Sequence, residues 1–226
     1  MTRLKLAFVA LSLSFGACAV SGAHANVQPA KPGVVVKETK LGQERLDRTA
    51  LRAKLAARRA ETFNNFLAYR DALVYPVNQL PGGGFRHVWV DDNGNLCAAA
   101  TLISKDWGRE AAIRVGKTNV EIKLADVKSG EVLDWMLTSG MTRAELVAIQ
   151  LPGDMFVPDA RQDEINRMFG IYLDVERQIR SLDAQNLDLA TDELMKHPEL
   201  ARQLLEGKVA GPGRYERAKN AAKDAA

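Results

Sequence analysis

A chain of 226 residues with 31 basic and 28 acidic side chains, 46% hydrophobic and only 6% aromatic residues, is long enough to bury a core of its own. With two cysteines and three histidines, one of each inside the N-terminal 25 residues, the remainder cannot supply the four ligands of a structural zinc site. Without Arg3 and Lys5 the 31 basic residues become 29 against 28 acidic, a balance of +1 instead of +3, so no nucleic-acid partner is expected.

Residues 1–25 have the order of a secretory signal peptide: Arg3 and Lys5, an apolar stretch from Leu6 to Val20, then Ala23-His24-Ala25 ahead of Asn26. The apolar run falls short of the roughly 20 residues a spanning helix needs, so cleavage after Ala25 is expected. The expected compartment is the periplasm of a bacterial envelope or the medium beyond it. Phe15-Gly16-Ala17-Cys18 offers a second processing route, in which Cys18 becomes a lipidated first residue, although Phe15 departs from the usual Leu. Charged residues interrupt every later hydrophobic stretch, so no transmembrane segment is expected in the mature chain. Cys97 is then the remaining cysteine, and an internal disulfide is excluded.

Residues 26–40, with two prolines, a glycine and no helical period, read as a linker to a single globular domain over 41–207. From 43 to 74 there is no Gly or Pro, and Leu51, Leu55, Thr62, Phe66 and Leu73 fall near one face, which predicts a long amphipathic helix stopped by Pro76. Its first part, Leu41 to Ala60, carries six basic residues against two acidic and is expected to project from the domain; binding an anionic polymer or lipid surface is the alternative to a simply solvated face, which is the expectation. Residues 85–103 predict a β-hairpin, with Phe85–Val90 and Leu96–Ile103 joined across Asp92-Asn93-Gly94-Asn95. A two-residue loop would place His87 and Cys97 on opposite faces, whereas a type I turn with Gly94 in a bulge would put them on one face. Lys105–Val115 predicts a short helix capped by Ser104 and ended by Gly116, and the alternation in 119–127 predicts a third strand.

Helices are expected over 130–137, after the capping box Thr142-x-x-Glu145, and from Pro158 to Leu182, where Ile165, Met168, Phe169, Tyr172, Val175, Ile179 and Leu182 recur every three or four residues. Thr191–Gly207 predicts one or two shorter helices broken at His197-Pro198, and 208–226 a flexible tail. The expected fold class is therefore α+β and mostly helical, with a small antiparallel sheet packed against helices.

Candidate chemistry is sparse. Cys97 with His87 as its base would form a nucleophile dyad if the hairpin register allowed, with Asp91 beside them; a small buried thiol is the expectation set against it. Asp91-x-Asn93-x-Asn95 alternates oxygens like a calcium loop but lacks the glycine and glutamate such a loop requires, so it reads as turn chemistry. Trp89, Trp107 and Trp135 lie near acids, a pattern shared with sugar-stacking clefts and with ordinary cores. No cofactor fingerprint or metal-ligand set is present in the motifs. The expected function is a non-enzymatic binding, scaffolding or accessory protein engaging a protein or envelope component through the first helix or the 165–182 face. The alternative is a hydrolase or transferase with its site at the 85–97 hairpin.

Overall fold

The computed structural model describes residues 45–77, 87–118, 122–150 and 161–208. The chain divides into two units, Met1–Gln43 and Glu44–Ala226, and every described residue lies in the second. The segments expected to be a leader with Cys18, a 26–40 linker and, beyond Lys208, a tail lie outside the described residues.

Asp47 opens the first helix, α1 (Arg48–Ala72), its carboxylate accepting from the amides of Thr49 at 2.8 Å and Ala50 at 3.1 Å. Beyond Ala72 the chain leaves the helix through Leu73 in the left-handed conformation, ahead of Tyr75-Pro76. The helix predicted over 43–74 is thus shorter at its start, because a side-chain cap at Asp47 competes with helix continuation. Nor does its basic half project. Leu51 and Leu55 are fully buried against α7 (Asp183–Met195) and α8 (Pro198–Leu205), and Arg48 and Arg52 reach Asp192 at 2.8 Å and Asp188 at 2.7 Å on α7.

The predicted α+β class is corrected: among the described residues there are only helices, with no strand or sheet beyond one isolated bridge between Val90 and Leu96. The turn inside the predicted 85–103 hairpin does form, with Gly94 N–H donating to Asp91 O at 2.9 Å and Gly94 at φ +80°, the register of a type I turn with a bulge. Pairing stops after Cys97 N–H donates to Trp89 O at 3.0 Å, because Ala98 starts α2 (Ala98–Trp107). Three successive alanines favour helix, and an unbroken apolar run has no period that distinguishes a strand from a helix buried on several sides. Phe85 and Arg86 lie outside the described residues.

The third strand predicted over 119–127 is corrected as well. Residues 119–121 are outside the described set, and the rest forms a short 3-10 turn, Leu124–Asp126. Gln150, itself buried, accepts from the Leu124 amide at 2.7 Å and donates to Ile122 O at 2.8 Å, so one side-chain amide supplies the bonds a neighbouring strand would have given. The predicted break at Ser104 falls instead at Gly108 (φ +84°), where α2 gives way to α3 (Arg109–Thr118). Gly116 does not stop α3; it lets Trp89 lie on the helix, since a Cβ there would come within 2.5 Å of Trp89 Cδ1.

The remaining helices are α4 (Glu131–Thr138), α5 (Arg143–Gln150) and α6 (Arg161–Ser181), followed almost without interruption by α7. On α6, Met168, Tyr172, Val175 and Ile179 are buried, so that stripe belongs to the core. Tyr172 stands edge-on to Phe66 and Tyr69 with centroids 5.5 and 5.6 Å away. The break at His197-Pro198 forms as expected, with Pro198 opening α8.

Two apolar clusters share α1 as their spine. Phe66 and Tyr69 join the larger, built with α2, α5 and α6; Leu51 and Leu55 join the smaller, built with α7 and α8. Between them, at the waist of α1, lie the buried polar residues Arg59 and Thr62. The Arg59 guanidinium donates to Glu145 in a fork, Nη1 to Oε2 at 2.9 Å and Nη2 to Oε1 at 2.7 Å, and Nε reaches Asp183 at 2.6 Å. Glu145 also accepts from Asn186 at 2.8 Å and closes the predicted capping box with Thr142 N–H at 2.8 Å. Burial would raise its pKa, but the bonds from Arg59, Thr142 and Asn186 outweigh that and hold the carboxyl below its ordinary range. The α4–α5 turn presses on the same point of α1: Gly140, at φ +79°, could carry a Cβ only 2.4 Å from Leu55 O and 2.5 Å from Arg59 N.

Two stability outcomes follow from this junction. Gly140→Ala overlaps backbone atoms and costs about 3 kcal/mol or more in urea unfolding, whereas Gly108→Ala, also at positive φ but facing open space, costs only about 1 kcal/mol. Arg59→Met costs about 3–5 kcal/mol by stranding the Glu145 charge, Glu145→Leu costs less because Arg59 keeps Asp183, and the double variant costs at least about 1.5 kcal/mol less than the sum of the two in a double-mutant cycle.

Candidate functional site

The residues singled out for chemistry sit around the Val90–Leu96 bridge. Asp91 spends its carboxylate on the turn it begins: Oδ1 accepts from the amides of Asn93 at 3.0 Å and Asn95 at 2.7 Å, and Oδ2 from Val77 N–H at 2.9 Å and the Asn95 side chain at 3.0 Å. Partial burial opposes ionisation, but the hydrogen bonds led by Val77 and Asn95 prevail and hold Asp91 below the usual carboxylate range. The carboxylate is an organiser of loop structure.

Cys97 is buried at the start of α2 and acts as its cap, the sulfur accepting from Ala100 N–H at 3.5 Å. Burial pushes its thiol up to about 12, so the nucleophilic thiolate is scarce near neutrality. His87 is partly buried with Nε2 enclosed and, among the described residues, without a hydrogen-bond partner. Burial, and secondarily the charge of Lys123, lowers its pKa from 6.5 to about 4. It therefore stays neutral over most of the physiological range.

The tryptophans serve the core. Trp89 and Trp135 are fully buried, their indole N–H groups donating to Ala112 O and to Asp106 Oδ2, each at 2.7 Å. Asp106 is simultaneously bound by Arg58 Nη2 at 2.6 Å. Among the described residues no cluster of three or more His, Cys, Asp or Glu side chains could hold a metal ion, and no helix is long and apolar enough to cross a membrane.

A groove of about 660 Å³ opens elsewhere, between α4, the first turn of α5, and α7. Leu133, Met136 and Leu137 of α4 and Met141 of the α4–α5 turn form its floor; Leu189 and Ala190 of α7 form one wall. Met136 and Met141 are almost wholly buried, while Leu189 is 53% exposed. Lys128, Arg143 and His197 stand at the rim. Arg143 is fixed there by Nη1 donating to Val127 O at 2.7 Å and Leu124 O at 3.2 Å. Glu193, the acidic residue lining the groove, is paired with Lys196 at 2.6 Å. Sequence reasoning missed this feature. Its available signal was local, the i, i+3, i+4 spacing of Leu133, Met136 and Leu137 and a leucine between acids on α7, whereas their convergence needs the fold.

His87 gives the site a pH signature. Its folded pKa lies below the unfolded value, so its contribution to stability is complete above about pH 6.5 and is lost as pH falls towards about 4. His87→Gln should therefore flatten the slope of unfolding free energy against pH between 6.5 and 4 relative to the parent chain; parallel curves would show that His87 is solvated. No protein family, curated protein or solved structure matches this chain.

Proposed function

We propose that this chain is exported and acts as a non-enzymatic accessory protein that binds a protein or envelope component at the groove between α4, α5 and α7. Export rests on the charged, apolar and small-residue order of residues 1–25. The binding role rests on one observation above all: Leu189 stands half in water against an apolar floor, a position that exposes aliphatic surface in a concave setting. The residues of the 85–97 segment give less support to catalysis. Asp91 is engaged by four donors and Cys97 is a capping thiol of raised pKa.

Three measurements test this reading. Intact mass of the protein recovered from an envelope extract should correspond to loss of residues 1–25, and a full-length cytoplasmic product contradicts export. A photo-cross-linking residue at position 189 should give a defined adduct in that extract, and one at position 173 on α6 should not; equal labelling at both positions, or none, removes the groove from consideration. Cys97 in the native protein should resist alkylation at pH 7 at least about 100-fold relative to the unfolded chain, whereas rapid labelling would favour a thiol enzyme.

A further inference from the structure

The chemistry of the groove is more specific than apolarity, and we infer that it binds an aliphatic chain ending in an anion, a carboxylate or a phosphate. The chain lies on the methionine and leucine floor and the anion is held at the basic rim. This rests on the reading of the groove as a binding site and names the ligand class it takes.

The volume of about 660 Å³ lies within the range of sites that enclose small organic ligands, a range that the groove of about 360 Å³ beside Asn93–Leu96 also meets, so floor and charge carry the assignment. Met136 and Met141 are unbranched and polarizable, so they adjust to an alkyl chain without a fixed shape. Leu189 supplies a further aliphatic surface that the fold leaves uncovered.

The charges are arranged one-sidedly. Among the described residues, neither Lys128 nor Arg143 is paired with a carboxylate, although both line the groove. Arg143 is held by backbone carbonyls through Nη1, which positions its charge without neutralising it. Glu193 is already occupied by Lys196, so the rim presents net positive charge above an apolar floor. A cationic amphiphile would meet repulsion there, and a neutral one would gain no attraction from the two exposed cations.

The test uses the full protein carrying 13C-methyl methionine, titrated with dodecanoate below its micelle concentration. Saturable shifts of the Met136 and Met141 methyls are expected, with dodecyltrimethylammonium binding at least about tenfold more weakly. Dodecyl phosphate should match dodecanoate if any anionic head suffices, and phosphatidylglycerol vesicles should compete if the source is a membrane lipid. Lys128→Glu should weaken dodecanoate about fivefold and Leu189→Asp should remove saturation, both with unchanged thermal melting. Absence of saturable shifts, equal binding of the cation, or indifference to both substitutions overturns the inference. If dodecanoate fails while the position-189 adduct contains a protein, the binding role stands and the amphiphile class falls; if both fail, the groove is no site.

Discussion

The buried fork between Arg59 and Glu145 ties together three elements at the point where the two apolar clusters meet. It joins the waist of α1 to the first turn of α5, and through Asn186 and Asp183 to the start of α7. Each partner alone would be a buried charge; together, with Thr142 and the Gly140 carbonyl filling remaining bonds, they are satisfied. Charge-assisted bonds of fixed geometry tolerate little displacement, so the pair sets where α5 and α7 lie along α1. The absence of a side chain at Gly140 serves the same junction, because it lets the turn into α5 approach the backbone of α1 closely enough for the fork to close.

The consequences extend outward along α1. Apolar residues above and below the waist divide into two clusters, each needing different partners, and one continuous helix makes them a single framework. The groove is a by-product of that framework. α4 and α7 both flank the junction, and the turn that carries Gly140 also carries Met141 onto the groove floor. Its walls are set by that junction together with the packing of Leu137 of α4 against the cluster of α7 and α8, and Leu189 is left half exposed.

The segment from His87 to Cys97 illustrates how chemistry-bearing side chains are absorbed by structure. A carboxylate that receives four hydrogen bonds and a thiol that caps a helix each solve a local folding problem, and burial keeps the imidazole beside them neutral. The same holds for the basic face of α1, whose arginines meet the acids of α7 instead of an external polymer. Exposed pairs of this kind contribute little stability, but they leave that face little uncompensated charge with which to recruit an anionic partner.

Local interactions determined what was legible in the sequence. The capping box at Thr142–Glu145, the heptad-like stripe of α6, the proline break before α8, the Asp91–Gly94 turn and the helical character of α1 all arise from residues a few positions apart. Tertiary structure decided what lay beyond that reach. Whether Leu96–Ile103 became strand or helix depended on burial from several sides, and the fate of residues 122–127 on Gln150, more than twenty positions away. The same holds for the candidate site: Cys97, His87 and Asp91 were visible as residue types, but their protonation and bonding were not, because burial is a property of the fold. The groove was invisible for the same reason, since its floor and rim come from α4, α5 and α7, which only the packing of the fold brings side by side.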